Sequence, residues 1–511
     1  MQPLITVSLR QLFPTSSFIG CADLRVRDAA CSSREVTPGR LFAALPGTTQ
    51  HGREFVHEAI QRGASALLLD SPIPDCPLPQ CIRPNVREAY ARLCHALFAD
   101  PCRQLGVVGV TGTNGKTTTT WMVRSILEAV RGPSGLIGTI ETSDGIGRCP
   151  ATLTTPDSRD LAMLLASTRR NLVRYSALEL SSHALDQCRT SGTQLDVAVV
   201  TNLTQDHFDY HGTFQNYRLA KSRIFGHLKR GGAAILNADD AEVMSLLPLT
   251  GPSQVVTYGL HLDADVRGEI LNQTVAGTRF RVTAGTETAI CFTPLIGSYN
   301  VSNALAAIAS CRQLGLGLCE MSLGLERLTL VPGRMQRVSP GQSFEVWVDY
   351  AHTDAGLRGA IAALRPLVSG RLTVVFGAGG DRDPGKRALM GHAAADADLA
   401  IVTSDNPRSE SPGIIAQQIL SGWPRPTPPE VILDREAAIQ QAIRTAQPGD
   451  GVLIAGKGHE DFQIIGAEKK PFRDLEISLA AIAVHPQRDF SRLGPPHLLK
   501  IRNAGKVHET R

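Results

Sequence analysis

The stretch from Leu105 to Val130 constrains the fold more than any other part of the chain. An apolar run, Leu105 to Val110, leads into Gly112-Thr113-Asn114-Gly115-Lys116-Thr117, and a helical pattern follows from Lys116 to about Val130. A buried strand, a glycine-containing loop and a helix in that order form the setting of a phosphate loop, because a helix N-terminus aims free N–H groups and partial positive charge at an anion. The strict pattern would put its first glycine where this chain has Val110, with Gly109 and Gly112 on either side. The physics survives the change. Gly112 and Gly115 still let backbone N–H groups turn towards phosphate oxygens, Lys116 supplies a compact cation, and the Thr117 hydroxyl can ligate Mg²⁺. The plainer alternative is a glycine-rich turn before a core helix.

Further buried-strand candidates at Tyr175 to Leu180, Leu195 to Thr201 and Ala233 to Leu236 alternate with helical segments, which predicts a parallel sheet covered on both faces. After Val331-Pro332-Gly333-Arg334 the pattern repeats, with candidates at Phe344 to Val348, Leu372 to Phe376, Leu399 to Thr403 and Val452 to Ala455. A second doubly wound α/β domain is expected there. The first hundred residues, with Gly39 to Leu45, the apolar run Ala64 to Leu69 and the Pro-rich stretch Ser71 to Gln80, look like short strands and helices between turns. A chain of 511 residues is too long for one core. The expectation is an α/β protein of three domains, 1–101, 102–332 and 333–490, with a basic and disordered tail at 491–511.

Composition narrows the partners. The net charge of +4 comes from 52 basic and 48 acidic residues intermixed along the chain, which argues against a nucleic-acid-binding face and suits a small anionic substrate. Eleven scattered cysteines without a Cys-x-x-Cys pair or zinc spacing read as reduced thiols. Met1 to Arg10 lacks a basic segment followed by an apolar run, and no apolar stretch approaches the ~20 residues that span a bilayer. A cytoplasmic protein that binds no membrane is expected, and a monomer.

Downstream of the loop come Leu178-Glu179-Leu180-Ser181-Ser182-His183, then Thr201-Asn202-Leu203-Thr204-Gln205-Asp206-His207-Phe208-Asp209, then Tyr217-Arg218-Leu219-Ala220-Lys221 on a helical pattern. Taken singly, Glu179 reads as a cap or surface charge, His207 as a loop histidine and Lys221 as a solvated cation. In this order, together with Thr113-Asn114 and Thr117 to Thr120, they resemble the Mur ligases and the related folylpolyglutamate synthetases. The resemblance implies that Thr117, Glu179 and His207 hold Mg²⁺, and that Lys221 is carbamylated, so that CO₂ turns its cation into a carboxylate able to hold a second Mg²⁺. It implies ATP contacts at Gly112, Thr113, Asn114, Gly115, Lys116, Thr117 and Thr118. It extends through Gly297 to Ala307, where Asn300 and Asn303 would lie near the adenine, and through Pro332-Gly333-Arg334 and Asp349-Tyr350-Ala351-His352, where Asp349 would meet the ribose.

In the third domain, Gly379-Gly380-Asp381-Arg382-Asp383, Asp405-Asn406-Pro407-Arg408 and Gly456-Lys457-Gly458-His459-Glu460 resemble the branch of the family that adds meso-diaminopimelate. That amino acid differs from lysine by a second carboxylate, and choosing between them needs a cation at the far end. A planar guanidinium pairs with a carboxylate through two parallel hydrogen bonds. The resemblance gives Arg408 this role, Arg382 the other carboxylate and Glu460 the distal ammonium, with Asp405, Asn406, Pro407 and Gly456 completing the pocket. A structural ion pair is the plainer reading of Arg408. In the first domain, Cys31-Ser32-Ser33-Arg34 and Thr48-Thr49-Gln50 match the region that recognises the uridine nucleotide, with Ser32 where an acid is commoner and Ser33 as the contact. Thr154, Thr155, Ser181, Gln187 and Arg189 match positions for the muramoyl dipeptide.

The reaction so implied is ATP-dependent attachment of meso-diaminopimelate to UDP-N-acetylmuramoyl-L-alanyl-D-glutamate through an acyl phosphate, a step of peptidoglycan synthesis that serves cell shape and division. Lys116, Glu179, His207 and Lys221 carry the catalysis, and His207 and His352 are candidates for the base that frees the incoming amine. The alternatives are a lysine-adding ligase, a folylpolyglutamate synthetase, against which the first domain speaks, and a catalytically silent nucleotide-binding protein.

Overall fold

The computed structural model describes residues 5–47, 50–261 and 263–485. Thr48 and Thr49, expected near substrate, and the tail at 491–511 lie outside the described residues.

Three large sheets, of eleven, six and five strands, carry the chain, and two two-stranded pairs accompany them among the described residues. The central one has eleven strands, and its middle is parallel, in the spatial order Gly135–Ile137, Tyr175–Glu179, Gly106–Thr111, Leu195–Val200, Leu228–Asn237, Gln254–Gly259. Side chains alternate along each strand, and both faces are buried. Val108, Val110, Ala177, Val197 and Val199 join one apolar cluster with the helices Lys116–Arg131, Ser298–Gln313 and Leu318–Arg327. Val107, Leu178, Ala198 and Val200 join another with the helices Ser158–Arg170 and Phe214–Ser222. Strands buried on both faces read as continuous apolar runs, which is why these were visible in the sequence.

The central sheet is parallel in its middle, as expected, and adds antiparallel strands towards both edges. On one side Glu141–Ser143 and Arg148–Pro150 add antiparallel strands. On the other, Val266–Thr274, Gly277–Ala284 and Glu287–Thr293 form an antiparallel meander. The meander has one solvated face, so its strands are half polar and lack the unbroken apolar signal.

The C-terminal sheet runs Gln336–Arg337, Glu345–Asp349, Gly451–Ala455, Leu372–Phe376, Leu399–Val402, Glu430–Val431, parallel except for its first strand. Helices cover both of its faces. The N-terminal unit has a sheet of five short strands, a separate pair formed by Val7–Ser8 and Arg25–Val26, and the helix Val86–Leu97. Its core is completed by Ala162 and Ala166 from the central helix Ser158–Arg170, whose Leu161 and Leu165 face the central sheet. One helix thus belongs to two cores.

Two topological facts place the site. Strand Gly106–Thr111 lies between Tyr175–Glu179 and Leu195–Val200, with Glu179 paired to Val110 and Val200 to Thr111. The carboxyl ends of three parallel strands therefore meet at one crevice, where the strand order reverses and ligands of open α/β sheets bind. The C-terminal sheet has its own such edge, at Asp349, Ala455, Phe376 and Val402. The two edges face one another: Gln205 Nε2 donates to Asp383 Oδ2 at 3.2 Å, and Lys386 Nζ lies 3.8 Å from Asp206 Oδ1.

Candidate active site

The phosphate loop needs its glycines. Gly112 and Gly115 both have positive φ, 147° and 87°. A Cβ at 112 would lie 1.9 Å from Thr201 Oγ1, and one at 115 would lie 2.3 Å from Asn303 Oδ1. Val110 lies inside the strand Gly106–Thr111 instead of opening the loop, so the turn begins later than in the strict pattern. Lys116 donates from Nζ to the carbonyls of Gly112 and Thr113 at 2.8 and 2.9 Å, which holds the ammonium over the loop.

Thr117 and Glu179 meet directly, hydroxyl to carboxylate oxygen, at 2.9 Å. Glu179 is buried at its strand end, where Thr139 donates to it from both its backbone N and its hydroxyl at 2.9 Å. The Thr154 hydroxyl lies 3.1 Å from the same Thr139 hydroxyl, and Thr155 Oγ1 donates to the Glu179 carbonyl at 2.7 Å. Ser181 caps the following helix and donates its backbone N to Thr155 Oγ1, while Arg189 donates to the Thr155 carbonyl at 2.6 Å. Gln187 closes the same helix, Ser182–Asp186. Four of the five residues matched to the dipeptide thus form one bonded group behind Glu179.

On the other flank, His207 has a left-handed backbone, φ 57°, and sets its Nε2 3.3 Å from Asp206 Oδ2. Burial pushes the imidazole down, leaving it neutral beside an ionised Asp206. Its ring stands edge-on to His183 at 4.8 Å. Lys221 is fully buried and donates to the Gly112 carbonyl at 2.7 Å, the oxygen that Lys116 also uses. Burial, and then the Lys116 cation, hold its ammonium well below the usual lysine range. Tyr217, one turn earlier, lies under the Lys221 Nζ at 4.6 Å and shares a 2.9 Å hydrogen bond with the Thr113 hydroxyl.

Three cavities run together. The first, about 310 Å³, is lined by Asn114, Gly115, Thr118, Asn300, Asn303, Arg334 and Asp349. Asn303 Nδ2 donates to Asn300 Oδ1 at 3.2 Å on the buried helix. Asp349 accepts the backbone N of Ala351 at 2.8 Å, and burial raises its carboxyl. The second cavity, about 150 Å³, holds Lys116, Thr117, Thr139, Thr154, Asp206, His207, Arg334 and His352. The third, about 240 Å³, shares Asp206, His207 and His352 with it and adds Arg382, Asp405, Asn406, Arg408, Gly456 and Glu460. A ligand in the third cavity therefore borders the phosphate end of the first two.

Arg408 also has positive φ, 52°, and donates to the Gly380 carbonyl at 2.6 Å. No carboxylate binds it at ion-pair distance among the described residues, unlike the structural ion pair of the plainer reading. Pro407 shapes the turn without lining the cavity. Ser33 stands apart in the N-terminal unit, buried, with its hydroxyl donated to Glu58 at 2.7 Å. Sequence reasoning missed Thr139, Asp206, Lys386 and Lys457. Lys457 lay within a motif already singled out, but its complete burial is a fact of packing.

The comparisons agree with this architecture. Family models match three consecutive stretches: the Mur ligase family, catalytic domain at 28–94, the Mur ligase middle domain at 110–311 and the Mur ligase, glutamate ligase domain at 333–458. A UDP-N-acetylmuramoyl-L-alanyl-D-glutamate--2,6-diaminopimelate ligase of Geobacillus kaustophilus is 43% identical, over 88% of this chain and 93% of its own. One of the same name from Thermosynechococcus vestitus is 44% identical, over 89% and 93%. A solved structure of that name is 32% identical with a TM-score of 0.66, covering 94% of this chain and 99% of its own. With a crevice of parallel strand ends at the glycine loop, a facing polar cavity and these relatives along nearly its whole length, the chain belongs to the Mur ligase family.

Proposed function

We propose that this ligase uses ATP to join meso-diaminopimelate to the D-glutamate of UDP-N-acetylmuramoyl-L-alanyl-D-glutamate, forming the tripeptide precursor of peptidoglycan. The observation that carries the reading is the third cavity, where Arg408 and Arg382 stand beside Glu460 next to the phosphate end of the nucleotide site. Two cations and an anion complement the two carboxylates and distal ammonium of a diamino dicarboxylic acid.

The donor set suits Mg²⁺ bound together with a nucleotide. Among the described residues no three His, Cys, Asp or Glu side chains converge. Mg²⁺ does not need them, because one or two protein oxygens, phosphate oxygens and water satisfy it. Thr117 and Glu179 would hold one ion, His207 and carbamylated Lys221 a second. When bound, such ions neutralise charge on the transferring phosphoryl group. The buried, proton-poor Lys221 amine is the form that adds CO₂, with loss of one proton, to give a carbamate.

The chain's own groups do the rest. Lys116 and Arg334 stabilise the γ-phosphoryl as a D-glutamate oxygen bonds to phosphorus and the bond to ADP breaks. Thr154, Thr155, Ser181, Gln187 and Arg189 orient the dipeptide, and Ser33 contacts the uridine end. The pocket then presents the amine to the acyl carbon. The C–N bond forms as phosphate leaves, and the amine loses a proton, for which His352, lining the same cavity, is the candidate that stays free when His207 holds the metal. Closure of the domains excludes the water that would hydrolyse the acyl phosphate. The enzyme is read as a cytoplasmic monomer acting on soluble substrates, without nucleic acid or membrane.

Phosphate release with the UDP-dipeptide and either meso-diaminopimelate or L-lysine tests the reading. Strong preference for meso-diaminopimelate is expected; preference for lysine sinks it.

A further inference from the structure

Lys457 is the fully buried cation behind the amino-acid pocket. Its side chain has no exposed surface, yet its Nζ is 2.9 Å from Glu460 Oε2, 3.1 Å from Asn406 Oδ1 and 3.6 Å from Asp405 Oδ1. Asn406 Nδ2 donates to the same Glu460 Oε2 at 2.9 Å. Two donors therefore hold one oxygen of Glu460. The other, Oε1, has no hydrogen bond among the described residues, and Glu460 borders the cavity.

We infer that Lys457 is a positioning residue that fixes Glu460 so that Oε1 alone meets the distal ammonium of the incoming amino acid. The inference rests on the functional reading above. Its physical basis is charge as well as geometry. Asp405 and Glu460 both approach Lys457, and without the cation between them two carboxylates would share a poorly hydrated site, which raises the pKa of one of them or drives them apart. Either response removes the oriented anion from the pocket. A glutamate on a flexible stem would otherwise lose side-chain freedom on binding, whereas a pre-oriented one has already lost it. The cation also explains why the motif spacing matters. Lys457 and Glu460 are three residues apart and lie on either side of Gly458, whose φ is 54°. A Cβ at Gly458 would sit 2.6 Å from the Gly333 carbonyl, so the turn that brings the two charges together has no room for another side chain.

The test compares meso-diaminopimelate with 2-aminopimelate, which keeps the far carboxylate and lacks the distal amino group. In Lys457→Met, KM for meso-diaminopimelate should rise roughly ten- to hundredfold, the scale of a charge-assisted hydrogen bond, with kcat within about threefold. KM for 2-aminopimelate should change by less than about twofold. In a Glu460→Gln background, adding Lys457→Met should have no further effect on KM for meso-diaminopimelate. Lys457→Gln, which keeps a donor without the charge, is run alongside and carries the comparison if the Met variant does not fold. Equal losses with both amino acids would overturn the inference and leave the functional reading intact. A wild type unable to use meso-diaminopimelate would overturn both.

Discussion

The guanidinium of Arg334 lies 3.1 Å from the Thr117 hydroxyl, although 217 positions separate them. It also stacks 4.4 Å over the Tyr350 ring, which fixes its plane. One cation thus ties the segment between the second and third domains to the first turn of the phosphate-loop helix. Arg334→Met should lower kcat/KM for ATP roughly ten- to hundredfold, since a charge-assisted contact to phosphate is lost. Arg334→Lys should recover part of it. Steady-state kinetics with varied ATP decide the matter, and an unchanged Met variant would exclude a phosphate contact.

Glu179 receives two donors from Thr139 and one from Thr117, so its carboxylate is held in place before any ligand arrives. Glu179→Gln keeps the shape and removes the charge. We expect kcat to fall by about a hundredfold or more and the Mg²⁺ concentration for half-maximal rate to rise. Titration of phosphate release with Mg²⁺ measures both, and an unaltered Mg²⁺ requirement would remove Glu179 from the metal site.

Arg408 is held by the Gly380 carbonyl in a left-handed turn, with its charge on the amino-acid cavity. Arg408→Ala should reduce kcat/KM for meso-diaminopimelate by roughly tenfold to a thousandfold and change that for L-lysine by no more than a few-fold. Equal losses for both amino acids would make Arg408 a structural residue.

A histidine pair at the junction of the first two domains, His95 buried and His227 half-buried, gives the protein an acid limit. Burial lowers His95 to about 3 and His227 to about 4, against about 6.5 in an unfolded chain. The unfolded state therefore takes up protons first as pH falls. Stability from these groups is complete above pH 6.5 and drains away below it, by about 1 kcal/mol per pH unit for each histidine. Melting temperature should fall between pH 6.5 and 4.5. His95 bonds through Nε2 to Thr193 at 3.2 Å, while Nδ1 has no hydrogen-bond partner among the described residues. His95→Leu should flatten the slope over that interval, and an unchanged slope would show that His95 does not govern it.

Most of the parallel strands were legible in the chain because strands buried on two faces carry unbroken apolar runs. Leu372–Phe376 matches its predicted bounds, and the helix Lys116–Arg131 ends one residue past its expected limit. The meander at 266–293 was not legible, since a half-solvated strand mixes polar and apolar residues. At the site, Glu179 and His207 could be named because their motifs follow the glycine loop in the order that resembles the Mur ligases; Glu179 ends one visible strand and His207 lies in the loop beyond another. Thr139 and Asp206 were given no role. Their importance comes from contacts with Glu179, His207 and Lys386, and such contacts have no spacing signature. Lys457 illustrates the same limit, because a lysine in a glycine-rich turn looks solvated until packing buries it.

The two sheets present their carboxyl ends to one another, and although Arg334, Asp349 and His352 reach across to the cavities beside Lys116, the residues proposed to choose the amine stand at the edge of the second sheet. Exchanging the residues around Arg408 and Glu460 leaves the strands beneath Lys116 and Glu179 untouched. A protein so divided is a motor with an interchangeable fitting, and a change of building block asks for new loops at one sheet edge instead of a new enzyme.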